Sequence, residues 1–318
     1  MNLNKMANCW FCYKDAGHIN YHPACAKKFF GTTEVPTLAL SDQLLDELAK
    51  QTIYQRIAVT GVQPKLSVTL EKQKARLPDR QGKNRLTVVG LWGEYILKPQ
   101  HHQYPMMPET EDLTMHLAEL FKIPVCEHTL LQASDGRMVY LAKRFDRKDG
   151  KKIHMEDLCQ LSEFLTENKY KSSYEKAGKL VAKYCNKGLD LLNYFELVLF
   201  SYLVGNNDMH LKNFSILHQP DAVVLSPAYD LLNVGLINPK DNEELALTLN
   251  GKKSKIKLTD FKVLAESLGI NEKVYYNSFK LFSSRNKKVL ELINHSFLSK
   301  DLKKKYAQIW KDKQLAFG

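Results

Sequence analysis

The feature that most constrains the fold is a change of hydrophobic period partway along the chain. Leu66-Ser-Val-Thr-Leu70 alternates apolar and polar residues, and the runs 86–89, 95–98, 127–132 and 138–142 also read as strands. A period of two turns one face of a pleated strand toward a core. A single helical stretch interrupts them: 111–121 places Leu113, Leu117 and Leu120 on one face and stops before Pro124. From about Met155 the pattern predicts helices over 155–165, 173–185, 190–204 and 259–268, with several more from 272 onward. Gly269 marks a helix end. A further helix is expected after Ser41, an N-cap, with Leu44, Leu45 and Leu48 on one face. The expected fold is therefore α+β in two lobes. Residues 1–31 form a Cys/His-bearing head, 32–150 a β-rich N-lobe and 151–318 a helical C-lobe, a division that suits nucleotide binding.

Composition narrows the function classes. The chain has 318 residues, 44% of them hydrophobic, enough for a sizeable core. Its most apolar run, 197–204, is too short to span a bilayer and reads as a buried helix, so no membrane partner is expected. No basic stretch joins an apolar run and a cleavage site near the N-terminus, which points to a cytoplasmic protein. The formal net charge of +11 favours a polyanionic partner such as nucleic acid or nucleotide phosphates. Lysine-rich, solvated helix faces give the same number.

The chemistry concentrates in Gly205-Asn-Asn-Asp-Met-His-Leu-Lys-Asn-Phe-Ser215 and in Tyr229-Asp230. Asp208 precedes Asn213 by five residues, and Asp230 follows seventeen residues after Asn213. A catalytic loop for phosphoryl transfer spaces its base and its metal-binding Asn in this way, and a second Asp completes the Mg²⁺ site. Strand-like 213–217, a Pro220-Asp221 turn and 222–225 form a hairpin that returns Asp230 toward Asn213. Singly, each piece also reads as an ordinary loop or cap.

The ordered set Gly-Val-Gln-Pro-Lys-Leu-Ser (61–67), Tyr95-Ile-Leu-Lys98, Glu111, Lys143-Arg-Phe-Asp-Arg147, Asp-x-His-x-Lys-Asn (208–213) and Ser-Pro-x-Tyr-Asp (226–230) resembles the HipA family of bacterial toxin Ser/Thr kinases. The resemblance runs over roughly residues 50–310 and implies a protein-kinase-like fold. It implies that Lys98 contacts ATP phosphates, oriented by Glu111, and that Lys143, Arg144 and Phe145 line the adenine hinge. Thr60, Gly61, Val62, Gln63, Pro64 and Lys65 would cover the phosphates with backbone amides. Asp208 would act as base, and Asn213 and Asp230, with Tyr229 beside them, would hold Mg²⁺. His210 and Lys212 would orient the loop or touch phosphate.

The same resemblance implies the toxin of a type II toxin–antitoxin pair. Its partner would be a helix-turn-helix antitoxin of HipB type, its substrate an aminoacyl-tRNA synthetase, and its contact with DNA indirect. A small-molecule kinase or a non-catalytic nucleotide- or DNA-binding scaffold are the alternatives. Two departures stand out. The family's autophosphorylated serine before the loop glycine is Ala58 here; Thr60 is the nearby hydroxyl, either its replacement or a structural turn residue. In length the chain resembles short HipT-type kinases, whose N-terminal subdomain is a separate small HipS-like protein.

Cys9-x-x-Cys12 and His22-x-x-Cys25 supply two ligand pairs at spacings common in tetrahedral zinc sites. Tyr13, Tyr21, Phe29 and Phe30 are expected to pack around them. The competing readings are buried thiols, or His22 as a helix cap beside Pro23. Cys126, Cys159 and Cys185 lie in apolar segments and read as small core residues.

Overall fold

The computed structural model describes residues 8–39, 65–71, 84–89, 92–148, 150–186 and 188–315. The helix expected after Ser41 and the loop residues Thr60 to Pro64 lie outside them. The chain divides into two compact units. Unit 1 comprises 1–112 and 127–144, and unit 2 comprises 113–126 and 145–318.

Unit 1 is built on six strands: β1 (Thr37–Leu38), β2 (Leu66–Glu71), β3 (Arg85–Val88), β4 (Tyr95–Pro99), β5 (His128–Gln132) and β6 (Met138–Lys143). Their order is β1-β3-β2-β4-β6-β5, antiparallel except for β1 with β3. The register pairs Val68 with Tyr95, and Leu97 with Leu141. Alternation sends Leu66, Val68, Leu97, Val139 and Leu141 into one core. At Gly93 the strands come so close that a Cβ would sit 2.6 Å from the Val68 carbonyl oxygen, so only glycine fits.

The cysteine-bearing head joins this same core. Its helix, Pro23–Phe30, starts on a proline that the first helical turn accepts and ends at Gly31 with φ 72°. Phe29 and Phe30 are buried against Tyr95, with ring centroids 5.6 and 6.4 Å away. Each such ring contributes on the order of 2–3 kcal/mol by leaving water. Tyr21 donates to the Leu130 carbonyl and shares a 2.7 Å hydrogen bond with Thr129 Oγ1.

The helix expected over 111–121 runs Met107–Leu120, so Glu111 sits one turn inside rather than at its head. Pro108 looks like a breaker but is tolerated in a first turn.

Unit 2 carries two short strands, β7 (Arg147–Lys148) and β8 (Lys151–Lys152), and then a three-stranded sheet. That sheet comprises β9 (His154–Asp157), β10 (Ser215–Gln219) and β11 (Ala222–Leu225), ordered β11-β10-β9. Helices Tyr174–Tyr184, Asp190–Leu203, Leu258–Ser267, Glu272–Ser284, Asn286–His295 and Lys300–Leu315 make up most of the rest. Phe121 packs on Phe282 at 4.4 Å and on Trp310 at 5.6 Å within their core.

The helix expected over 155–165 is a correction. Residues 154–157 pair antiparallel with β10, and only Leu158–Leu161 is helical. The cause is local. The Asp157 side chain accepts from the Gln160 amide, Gln160 returns the bond to the Asp157 amide, and that capping box starts the helix at Leu158. Of the three cysteines read as core, Cys126 and Cys159 are buried, whereas Cys185 is a half-buried helix C-cap. Among the described residues no helix is long and apolar enough to cross a membrane.

Glu109, on the first turn of Met107–Leu120, is buried with no partner for Oε2 among the described residues. Burial pushes its carboxyl up to about 7. A raised carboxyl binds its proton more tightly when folded, so stability falls as pH rises from about 4.5 to about 7 and then levels off. Glu109→Gln should therefore raise stability at pH 8 by up to about 3 kcal/mol and change little at pH 4. Urea denaturation at both pH values checks this; a variant less stable at pH 8 would show the carboxylate held charged.

Candidate functional site

In unit 2 the acidic loop begins where helix Asp190–Leu203 ends. Gly205 takes φ 70°, and a Cβ there would lie 3.1 Å from both Asn233 Oδ1 and Ile309 Cγ2. The Asn206 amide donates to the Ser201 carbonyl at 2.8 Å, and its side-chain oxygen accepts from the Asp208 amide at 3.3 Å. The Asp208 carbonyl then takes two bonds, from the His210 amide at 2.8 Å and from Asn213 Nδ2 at 2.9 Å. Base candidate and metal-ligand candidate are thereby tied through one oxygen. With Nδ2 engaged, Asn213 presents Oδ1 as its acceptor.

Met209 is fully buried and its carbonyl accepts from Tyr174 Oη at 3.0 Å, which anchors the loop from below. The Asp208 side chain is half exposed, with His210 Nε2 4.0 Å from its Oδ1. Lys212 is held in an ion pair with Asp157 at 2.7 Å, so it straps the loop to β9. Of the two roles expected for Lys212, the geometry supports orienting the loop.

The predicted hairpin is present. β10 and β11 pair from Ile216–Leu225 to Gln219–Ala222 around the Pro220-Asp221 turn. Ser226 then donates to the Ser215 carbonyl at 2.8 Å. Tyr229 Oη donates to the Lys212 carbonyl at 2.8 Å and lies 2.6 Å from Ser215 Oγ, so residue 229 docks on both flanks of Asn213. Asp230 follows in a left-handed conformation, φ 60°, uncommon for a residue with a Cβ. Phe145 lies against the Tyr229 ring at 5.5 Å.

Two residues of this site had no motif to announce them. Tyr170 donates its hydroxyl to Asp208 Oδ1 at 2.5 Å and meets the His210 ring edge-on at 5.0 Å. Burial, then the Asp208 charge, pushes the Tyr170 phenol up, so it stays a donor. Asp157 was hidden by the misread helix.

In unit 1, Lys98 is buried on β4 and its Nζ lies 2.5 Å from Glu111 Oε1, itself buried. The ammonium also sits over the Tyr140 ring at 5.4 Å, the residue opposite Lys98 across β4–β6. The expected pairing of Lys98 with Glu111 is present. Asp112, the next residue, accepts from Tyr13 Oη at 2.8 Å and meets His128 Nδ1 at 2.7 Å. Of the hinge candidates, the Lys143 amide donates to the Glu127 carbonyl and the Arg144 amide to the Glu94 carbonyl, each at 2.8 Å. Lys65 is exposed.

The donors Asn213 and Asp230 are hard oxygens, which suit Mg²⁺. Cys9, Cys12, His22 and Cys25 form a separate soft cluster in unit 1, with ligand atoms all within 4.8 Å of one another.

A buried ion pair is held by mutual compensation. Lys98→Met or Glu111→Gln should each cost about 3–5 kcal/mol, because the remaining charge is stranded, while the double variant should recover much of the loss. Denaturation of the three variants checks the coupling; additive losses would show that the two side chains do not depend on each other.

A family profile described as the HipA-like C-terminal domain matches residues 57–295. A kinase-named protein of Haemophilus influenzae is 25% identical over 274 residues, covering 77% of each chain. A kinase-named protein of Sinorhizobium fredii is 29% identical over 251 residues, 74% of this chain and 59% of its own. The serine/threonine-protein kinase toxin HipA of Shewanella oneidensis is 27% identical over 218 residues, 61% of this chain and 47% of the toxin. The chain thus spans about half the length of that toxin. Among solved structures, the Shewanella oneidensis HipA, HipB and operator DNA complex gives a TM-score of 0.68 at 18% identity, covering 89% of this chain and 72% of the other. The Helicobacter pylori proinflammatory kinase CtkA gives 0.52 at 14% identity, covering 79% and 93%. These likenesses establish a kinase-like α+β fold.

Proposed function

This chain belongs to the HipA family, and from that premise we propose that it is an ATP-dependent Ser/Thr protein kinase serving as the toxin of a type II toxin–antitoxin pair. The observation that carries the reading is the double hydrogen bond on the Asp208 carbonyl, which holds base and metal ligand in one rigid loop.

The substrate hydroxyl gives its proton to Asp208 as its oxygen bonds the γ-phosphorus and the bond to ADP breaks. Tyr170 supports this assignment, because a hydroxyl donor already lies against Asp208 Oδ1. Asn213 and Asp230 would hold Mg²⁺, which when bound neutralises charge on the phosphate oxygens. Lys98, kept in place by Glu111, would contact phosphate, and 60–65 would cover it. Adenine recognition at 143–145 would fall first to the Phe145 amide, since the Lys143 and Arg144 amides are engaged in the sheet.

The partners follow from the family. A HipB-like antitoxin is proposed because a HipA relative was solved with HipB and operator DNA. A HipS-like small protein, an aminoacyl-tRNA synthetase substrate and Thr60 as a modified hydroxyl are proposed from the motif resemblance alone.

Asp208→Asn should keep ATP affinity and lower phosphate transfer about 10²–10⁴-fold, the usual worth of a general base. Phosphoproteomics after induction, comparing the intact chain with Asp208→Asn, reads both activity and substrate. Phosphate appearing on a metabolite would replace the protein-kinase reading. No transfer from either chain would remove the kinase reading altogether.

A further inference from the structure

The cysteine head plays no part in the phosphotransfer proposed above, yet it is built with the detail of a ligand site. His22 Nδ1 lies 3.5 Å from Cys12 Sγ and 3.6 Å from Cys25 Sγ. In a tetrahedron with Zn–S of about 2.3 Å and Zn–N of about 2.0–2.1 Å, the sulfur-to-nitrogen edge is about 3.6 Å. The fourth ligand atom, from Cys9, lies within 4.8 Å of each of the other three.

The ring of His22 is already set for metal. Its Nε2 lies 2.9 Å from the Asp15 carbonyl, which can only accept, so Nε2 carries the hydrogen and Nδ1 the lone pair. That lone pair faces the two sulfurs. A carbonyl bonded to the far nitrogen is the usual support of a metal-ligating histidine. His22 makes no side-chain cap to the helix that follows, so capping does not explain its orientation.

The chain around Cys9 fits the same reading. Its amide donates to the Lys14 carbonyl at 2.8 Å, and its carbonyl accepts from the Tyr13 amide at 2.9 Å, closing a tight turn through Cys12. Tyr13 pays for that turn with φ 60°. Cys25 arrives from the first turn of Pro23–Phe30.

We propose that Cys9, Cys12, His22 and Cys25 bind one structural Zn²⁺. Three thiolates and an imidazole in a tetrahedron select zinc over hard cations, and four protein ligands leave no open position for chemistry. The turn so held carries Tyr13, whose hydroxyl reaches Asp112, the neighbour of Glu111. The metal thus anchors the head to the helix that presents the Lys98 partner.

The test is metal content of the intact chain, purified with thiols reduced, and it is independent of any kinase activity. One zinc per chain is expected. Cys12→Ser and Cys25→Ser should lose it, Cys185→Ser should keep it, and chelation should lower the melting temperature of the parent but not of Cys12→Ser. His22→Cys, which rebuilds a four-ligand set, should retain zinc, whereas His22→Ala should not; this pair decides the matter if the cysteine variants fail to fold. A chain with less than about a tenth of an equivalent of zinc overturns the proposal. So does full zinc in Cys12→Ser and Cys25→Ser, or a disulfide among the three cysteines under reducing conditions.

Discussion

The carbonyl oxygen of Asp208 is the point on which the loop of unit 2 depends. It accepts from the His210 amide and from Asn213 Nδ2, so the backbone of one candidate catalytic residue is the template for the other. A five-residue separation is what permits this: one turn of chain, closed by the 3₁₀ segment Leu211–Asn213, returns the amide to the start of the loop. Everything else there preserves that oxygen's surroundings. Tyr174 fixes Met209, Asp157 fixes Lys212, and Tyr229 fixes the carbonyl of Lys212 and the hydroxyl of Ser215. The Asp208 carboxylate is left half exposed. The loop thus combines rigid support beneath with an accessible carboxylate above it.

Unit 1 solves a different problem, which is to keep an ammonium out of water without losing its charge. Lys98 and Glu111 neutralise each other, and the Tyr140 ring adds its quadrupole. Two adjacent carboxylates on one helix turn point to separate partners, Glu111 to Lys98 and Asp112 to Tyr13 and His128. Successive helical residues diverge by about 100°, so neighbours in sequence can serve different networks.

Legibility in the sequence followed the length scale of each interaction. Strands β2 to β6 of unit 1, the hairpin 215–225 and the Asp208–Asn213 loop are readable because period and spacing are local properties, whereas β1 (Thr37–Leu38) is too short to carry a period. The segment 155–165 is not readable in this way. Its apolar spacing is too short to separate strand from helix, and its pairing partner β10 lies some 60 residues away. Tyr170 was invisible for the same reason: its bond to Asp208 spans 38 residues of sequence without motif or periodicity. The helix read over 111–121 starts earlier, at Met107, because Pro108 is accepted in a first turn.

The charge of the chain needs the same local accounting. The formal +11 suggested a polyanion footprint, with lysines dense at 252–257 and 300–313. Within unit 2, however, Lys252 pairs with Asp260 at 2.8 Å, Lys253 with Glu243 at 3.0 Å, and Lys313 with Glu244. Such partly exposed pairs each stabilise by about 0–1 kcal/mol, yet each cancels a charge that a phosphate backbone would need. Lysine count therefore overstates the field that these two segments project. Part of the formal charge is thus already engaged in holding the helices of unit 2 together.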